Sequence, residues 1–212
     1  MPVLFIKNPD QNTALGVWQI KETVEDLERD VILTDQEKNN LESYKHENRK
    51  KHWLSYRALI DCINEEKFHV KYTGFGKPFL QNGIKKKHIS ITHSGDFSGV
   101  IINPDKLVGI DIERISKRIE RVSSRFLSDE ELTFIDRKNF LEHLTICWTA
   151  KEALFKISGN DCYDFKEQIQ LLPFDYTENG VIKAKLSGEK IKLELKVYFE
   201  KINDYFLAYA IL

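Results

Sequence analysis

The sequence predicts an α+β fold made of two similar halves, roughly 1–98 and 99–212, related by a pseudo-two-fold axis with a cleft between them. Three observations predict it. Segments recur along the chain at one offset of about 94 residues, the mark of an internal duplication. Both copies carry a helix-start signal in the same place. Strand-like stretches cluster around the helical regions without strict alternation, which disfavours a doubly wound sheet.

The elements follow in order. "VLFIKN" (3–8) and "GVIIN" (99–103) read as matching strands. "LGVWQIKETVEDLE" (15–28) matches "VGIDIERISKRIE" (108–120). "ILTDQEKNNLESYKHENRKKHWLSYRALI" (32–60) lines up with "FLSDEELTFIDRKNFLEHLTICWTAKEALF" (126–155). Each of these opens on a hydroxyl, Thr34 or Ser128, with an acid three residues later, Glu37 or Glu131: a capping box. Each then reaches a tryptophan, Trp53 or Trp148. "FHVKYTGFG" and "HISITH" read as strands around the TGFGKP turn. "GVIKAKL", "KIKLELKVYF" and "DYFLAYAIL" are strands separated by NG, SG and ND turn signals.

Composition narrows the function classes. Lys and Arg number 32 against 33 Asp and Glu, so no global field draws nucleic acid or a membrane surface. Apolar runs fall well short of the ~20 residues of a membrane span, and the N-terminus lacks a secretory pattern. Cys62, Cys147 and Cys162 show no metal-type spacing and read as reduced thiols of a cytoplasmic protein.

Differences between the copies point to chemistry. Trp18 and Ile20 of the first copy become Asp111 and Glu113 in the second. In "LVGIDIE", Val108, Ile110 and Ile112 face one side of a strand while Gly109, Asp111 and Glu113 face the other. Two carboxylates about 7 Å apart on one face are either solvated or need a cation between them. The apolar counterparts favour a covered face, and an oxygen-ligated ion such as Mg²⁺ would satisfy it. In "CWTAKEALFKISG" (147–159), Glu152 and Lys156 stand four apart on one helix face, as a plain ion pair or as two groups facing a shared site. Aligning the tryptophans sets Arg57 opposite Glu152, on facing walls of the cleft, and makes Asp111, Glu113 and Glu152 a hard-cation set. "SITHSG" (90–95) brings His93 and the Thr92 and Ser94 hydroxyls toward the acids. "GFGKPFL" (74–80) is not a Walker loop, but its glycines allow backbone amides to approach a ligand. "ERISKRIERVSSR" (113–125) offers Arg114, Lys117, Arg118, Arg121 and Arg125 as a solvated face or a docking surface; "KKK" (85–87) reads as an exposed turn.

Together "FGKPFL", "SITHSG", "VGIDIER" and "WTAKEALFK" resemble 4′-phosphopantetheinyl transferases of the surfactin-synthetase-activating class, over essentially the whole chain. The resemblance implies transfer of phosphopantetheine from coenzyme A to a serine of an apo acyl or peptidyl carrier protein, releasing adenosine 3′,5′-bisphosphate. It implies Mg²⁺, or Mn²⁺, on Asp111, Glu113 and Glu152, with Glu152 as base and Lys156 at the departing phosphate. Arg57 and His93 would hold the 3′-phosphate, Gly76, Lys77 and Pro78 would flank the adenine, and Thr92 would meet the pyrophosphate. Arg49 and Lys50 are further basic contacts, and the basic run, chiefly Arg114, Lys117, Arg118 and Arg121, would dock the carrier. A monomer is expected, since one chain supplies both halves of the cleft. An inactive coenzyme A or nucleotide-binding regulator and a metal-dependent phosphohydrolase are the alternatives. Lys151 has no role in this scheme.

Overall fold

A computed structural model describes residues 3–159 and 161–212. Strands β1 (Val3–Asp10) and β2 (Thr13–Gln19) lead into helices α1 (Val24–Arg29), α2 (Asp35–Ser43) and α3 (Glu47–Ile63). Then come β3 (His69–Tyr72), β4 (Pro78–Asn82), β5 (Lys85–Ser94) and β6 (Phe97–Asn103). The pattern repeats as β7 (Val108–Arg114), α4 (Arg118–Phe126), α5 (Asp129–Thr133), α6 (Phe140–Ser158), β8 (Ile169–Leu171), β9 (Asn179–Ser187), β10 (Lys192–Ile202) and β11 (Tyr205–Ile211). The fold is α+β, with two antiparallel sheets in two similar halves. No helix among the described residues is long and apolar enough to cross a membrane.

The first sheet runs β1-β2-β6-β5-β4-β3 and the second β7-β11-β10-β9-β8. Apart from β1, the orders correspond strand for strand, with β2 matching β7 and β6 matching β11. β6 is therefore a central strand of the first sheet, although the sequence comparison assigned residues from 99 onward to the second half. Burial on both faces accounts for this. Val100 and Ile102 join the core beneath α3, while Phe97 and Ile101 join the core between the sheets. Ile110 and Ile112 of β7 meet them there, so Asp111 and Glu113 are turned toward α6. The layers run α3, first sheet, second sheet, α6.

Local chemistry sets the helix starts. Thr34 accepts from the Glu37 amide while Glu37 reaches back to Thr34, and Ser128 and Glu131 do the same, so both expected capping boxes form. Glycines set how closely each long helix approaches its strand. A Cβ on Gly16 would lie 2.8 Å from the Leu59 side chain of α3, and one on Gly109 would lie 2.0 Å from the Ala153 carbonyl oxygen of α6. Side chains rotate and a helix carbonyl does not. Gly109→Ala is therefore expected to cost about 1–3 kcal/mol, the usual range for overpacking, and Gly16→Ala less. Urea melts of the two variants check the order; equal losses would contradict it.

Two ion pairs, one buried and one partly buried, reveal the true register of the repeat. Arg57 bonds Glu37 at 3.3 Å and Lys151 bonds Glu131 at 2.8 Å, each joining the long helix to the capping acid. Arg57 thus corresponds to Lys151, one residue away from the alignment on the tryptophans. The second copy holds one extra residue between its cap and its tryptophan. Buried Cys147 accordingly stands where Trp53 does, and Trp148 turns toward the site.

Candidate functional site

β7 is an edge strand, and side chains of β5 in the other sheet satisfy its open edge. The Ile110 amide donates to Ser90 Oγ and the Ile112 amide to Thr92 Oγ1, both at 3.1 Å. Thr92 passes its own proton to Asp111 Oδ1 at 2.9 Å, and Ser94 donates to Glu113 Oε2 at 3.3 Å. Both hydroxyls reach the acids, as the meander through SITHSG predicts. Thr92 is buried with its donor spent on Asp111, so it orients that carboxylate. Trp148 Nε1 donates to Glu113 Oε1 at 3.4 Å, a contact that sequence reasoning missed.

α6 brings Glu152 and Lys156 over these acids. Lys156 Nζ donates to Ile110 O and Asp111 Oδ1 at 2.8 Å and to Ile91 O at 3.2 Å. An ammonium has three protons, so all are in use. Lys156 thus ties β7 to β5 and pairs with Asp111 rather than with Glu152, its neighbour four residues away. Glu152 is pushed up to about 7, first by burial and then by the Asp111 charge, with Lys156 opposing and Glu113 adding. Glu113 is also raised, by burial and then by Asp111. Asp111 Oδ2 is buried without a hydrogen-bond partner among the described residues. Three hard-oxygen donors that resist sharing negative charge, one with an orphaned lone pair, suit a divalent cation in type. The side chains are not gathered around an ion: among the described residues no group of three or more His, Cys, Asp or Glu is drawn to ligand spacing.

Beside Lys156 lies a groove of about 230 Å³ between the halves. Gly76, Lys77 and Pro78 form one wall and Phe155 and Lys156 the other. The turn closes through Gly76 N to Thr73 O and Thr73 N to Lys77 O, both 2.9 Å, with Gly76 at φ +81°, a conformation suited to glycine. Lys77 Nζ donates to Ile157 O at 2.8 Å, capping the C-terminal end of α6 with a cation. The expected adenine-flanking turn and the expected catalytic lysine therefore meet across the two halves.

His93, a partly exposed residue near the end of β5, lies on the strand face that packs toward α3, its ring stacked on that of His52 from α3 at 4.5 Å and 11°. Loss of solvent around the ring, followed by the His52 and Lys156 charges, pushes it down to about 4, with Arg49 adding a little. Arg49 and Lys50 sit in the first turn of α3, Arg49 4.4 Å from the centre of the Tyr44 ring. His52 was missed in the sequence. Its position one turn after Arg49 was the available sign.

Arg57 is not on a cleft wall. Its guanidinium is buried, bonds Glu37, Trp53 O and the Tyr56 hydroxyl, and lies 3.3 Å from the centre of the Trp53 ring. Its surroundings, Val31, Leu33, Ile60, Phe68 and Val70, include no member of the acidic cluster. The one-residue shift in register removes it from the face that Glu152 occupies.

The basic run divides. Arg114 pairs with Asp204 at 2.6 Å. Arg114, Arg118 and Arg125 border a groove of about 730 Å³ that has Glu113 in its wall and Val122, Phe126 and Trp148 among its apolar surfaces. Lys117 stands at the N-cap position of α4 without a capping side-chain hydrogen bond, and exposed Arg121 is not part of the groove wall.

Residues 107–210 match the 4′-phosphopantetheinyl transferase superfamily. The chain is similar to 4′-phosphopantetheinyl transferase gsp of Aneurinibacillus migulanus, 31% identical over 119 residues, covering 52% of this chain and 47% of that protein. It is also similar to the L-aminoadipate-semialdehyde dehydrogenase-phosphopantetheinyl transferase of Xenopus laevis, 26% identical over 132 residues, covering 50% of this chain and 42% of that protein. The chain spans about half the length of the curated relatives it matches. Asp111, Glu113, Glu152 and Lys156 all lie within the residues that match the 4′-phosphopantetheinyl transferase superfamily.

Proposed function

We propose that the protein transfers 4′-phosphopantetheine from coenzyme A to a serine hydroxyl of an apo carrier protein. The observation that carries this reading is the Glu152 carboxyl, raised to about 7 by burial and by two neighbouring acids, beside a lysine that bridges the two halves. A base with a pKa near the working pH suits an alcohol nucleophile that must lose its proton during attack. The serine oxygen bonds to the phosphorus that bears pantetheine. The bond from that phosphorus to the bridging oxygen breaks, and adenosine 3′,5′-bisphosphate departs. Glu152 takes the serine proton, directly or through water.

A divalent cation such as Mg²⁺ on Asp111, Glu113 and Glu152 would neutralise pyrophosphate charge. With all three of its protons engaged, Lys156 can reach a phosphate oxygen only by giving up an acceptor. Asp111, as a ligand to the cation, is the acceptor most readily exchanged. The groove beside Gly76, Lys77 and Pro78 suits the adenine, and His93 with Arg49 suits the 3′-phosphate. The Arg118–Arg125 groove, with Glu113 in its wall, suits an acidic carrier. Both halves of the site come from one chain, so a monomer suffices.

The test is incubation with coenzyme A, Mg²⁺ and an apo carrier protein, read by mass spectrometry. The carrier should gain one phosphopantetheine, on the order of 340 Da for this covalent group. Coenzyme A cleaved without that gain would make the protein a hydrolase, and binding without turnover would make it a regulator. Arg57→Ala is expected to lose about 1–3 kcal/mol of stability through the orphaned Glu37, with the KM for coenzyme A unchanged. A raised KM in a variant of wild-type stability would return Arg57 to the ligand site.

A further inference from the structure

We infer that His52 is a positioning residue for this site, fixing from α3 the turn that carries both His93 and Ser94. The inference rests on the proposed phosphate role of His93. Two contacts made by one ring support it. The His52 face stacks on His93, and its edge bonds Gly95 O at 2.7 Å. A carbonyl only accepts, so Nε2 carries the proton and the tautomer is set.

The turn between β5 and β6 is held from its other side as well. Gly95 has φ +53°, and a Cβ there would lie 2.0 Å from the Tyr205 hydroxyl of β11. The turn is thus caught between His52 of one half and Tyr205 of the other. Ser94, the residue before Gly95, donates to Glu113. One side chain on α3 thereby reaches the proposed phosphate contact through stacking and a proposed cation ligand through two bonded residues. α3 also holds the hairpin deeper in, where Ser55 Oγ donates to Ser98 Oγ at 2.9 Å opposite His93, and the His52 ring is its hydrogen bond to the turn itself.

The ring's two contacts can be removed separately. His52→Gln keeps an N–H for Gly95 O without the stack, His52→Phe keeps the stack without the donor, and His52→Ala loses both. The probes are adenosine 3′,5′-bisphosphate and adenosine 5′-monophosphate, measured by calorimetry. His52→Ala should weaken the bisphosphate about tenfold and the monophosphate less than about twofold, with Gln and Phe in between. NMR of the imidazole resonances in the ligand-free protein should show His93 shifted in His52→Ala, since the neighbouring ring is gone. Equal weakening of both nucleotides, unchanged affinity for both, or an unmoved His93 would overturn the inference. The NMR measurement needs no ligand. Failure of the wild type to favour the bisphosphate would therefore remove the phosphate role of His93, while an unmoved His93 would remove His52.

Discussion

Glu152→Gln should lower phosphopantetheine transfer by about 10²–10⁴-fold, the range for loss of a general base, with only a modest change in coenzyme A affinity. The amide keeps the shape of the side chain and removes both the proton acceptor and one of three crowded charges. The same crowding makes a prediction that needs no substrate. Glu152 moves from an ordinary 4.5 to about 7 on folding, so between these values the folded chain holds a proton that the unfolded chain releases. Stability must therefore fall as pH rises through this window. The loss is on the order of 1–3 kcal/mol, allowing for partial solvent screening. In metal-free protein, melts from pH 4.5 to 8 should slope downward for the wild type and much less for Glu152→Gln, and Mg²⁺ should restore the wild type above pH 7. Near wild-type transfer by the Gln variant, or parallel pH profiles, would remove Glu152 from the role of base.

How much of this was legible depended on the range of the interaction. Capping boxes act over three residues, and the parity of a strand acts over two. Both starts, at Thr34 and Ser128, and the shared face of Asp111 and Glu113 could therefore be read directly. The helical face of Arg57 could not. Each residue turns an α-helix by about 100°, so one extra residue before Trp148 moved the correspondence from Glu152 to Lys151. A repeat offset read from tryptophans is too coarse for that. The place of β6 also escaped the sequence, because "GVIIN" looks equally strand-like in either sheet and only burial on both faces decides. Nor does spacing show which groups close an open strand edge. Ser90 and Thr92 belong to another sheet, some twenty residues from the amides they receive. The partner of Lys156 was hidden for a related reason: the acid four residues away is the local candidate, whereas packing supplied Asp111.

Lys151, the charge without a sequence explanation, should prove the costliest single truncation in the second half. Its ammonium is fully buried and has three acceptors: Phe126 O at 2.7 Å, with Glu131 Oε2 and Phe165 O at 2.8 Å. Glu131 in turn accepts from the Ser128 and Leu171 amides, at 2.8 and 2.9 Å. This one cluster joins α6 to the end of α4, the start of α5, the loop at Phe165 and strand β8. Lys151→Met fills much of the volume and leaves the Glu131 carboxylate buried with no cation. Breaking a buried pair in this way costs about 3–5 kcal/mol, enough to lower the melting temperature by roughly 6–20 °C in a chain of this size. The double variant Lys151→Met/Glu131→Gln removes the orphaned charge and should recover part of the loss, since much of the single-variant penalty belongs to the unpaired acid. Phe126 and Phe165 both line the Arg118–Arg125 groove. Their loosening should therefore raise the KM for carrier protein in the single variant before coenzyme A affinity changes. A loss below about 1 kcal/mol, the worth of an exposed pair, would mean that water reaches Lys151 and that the cluster does not anchor α6.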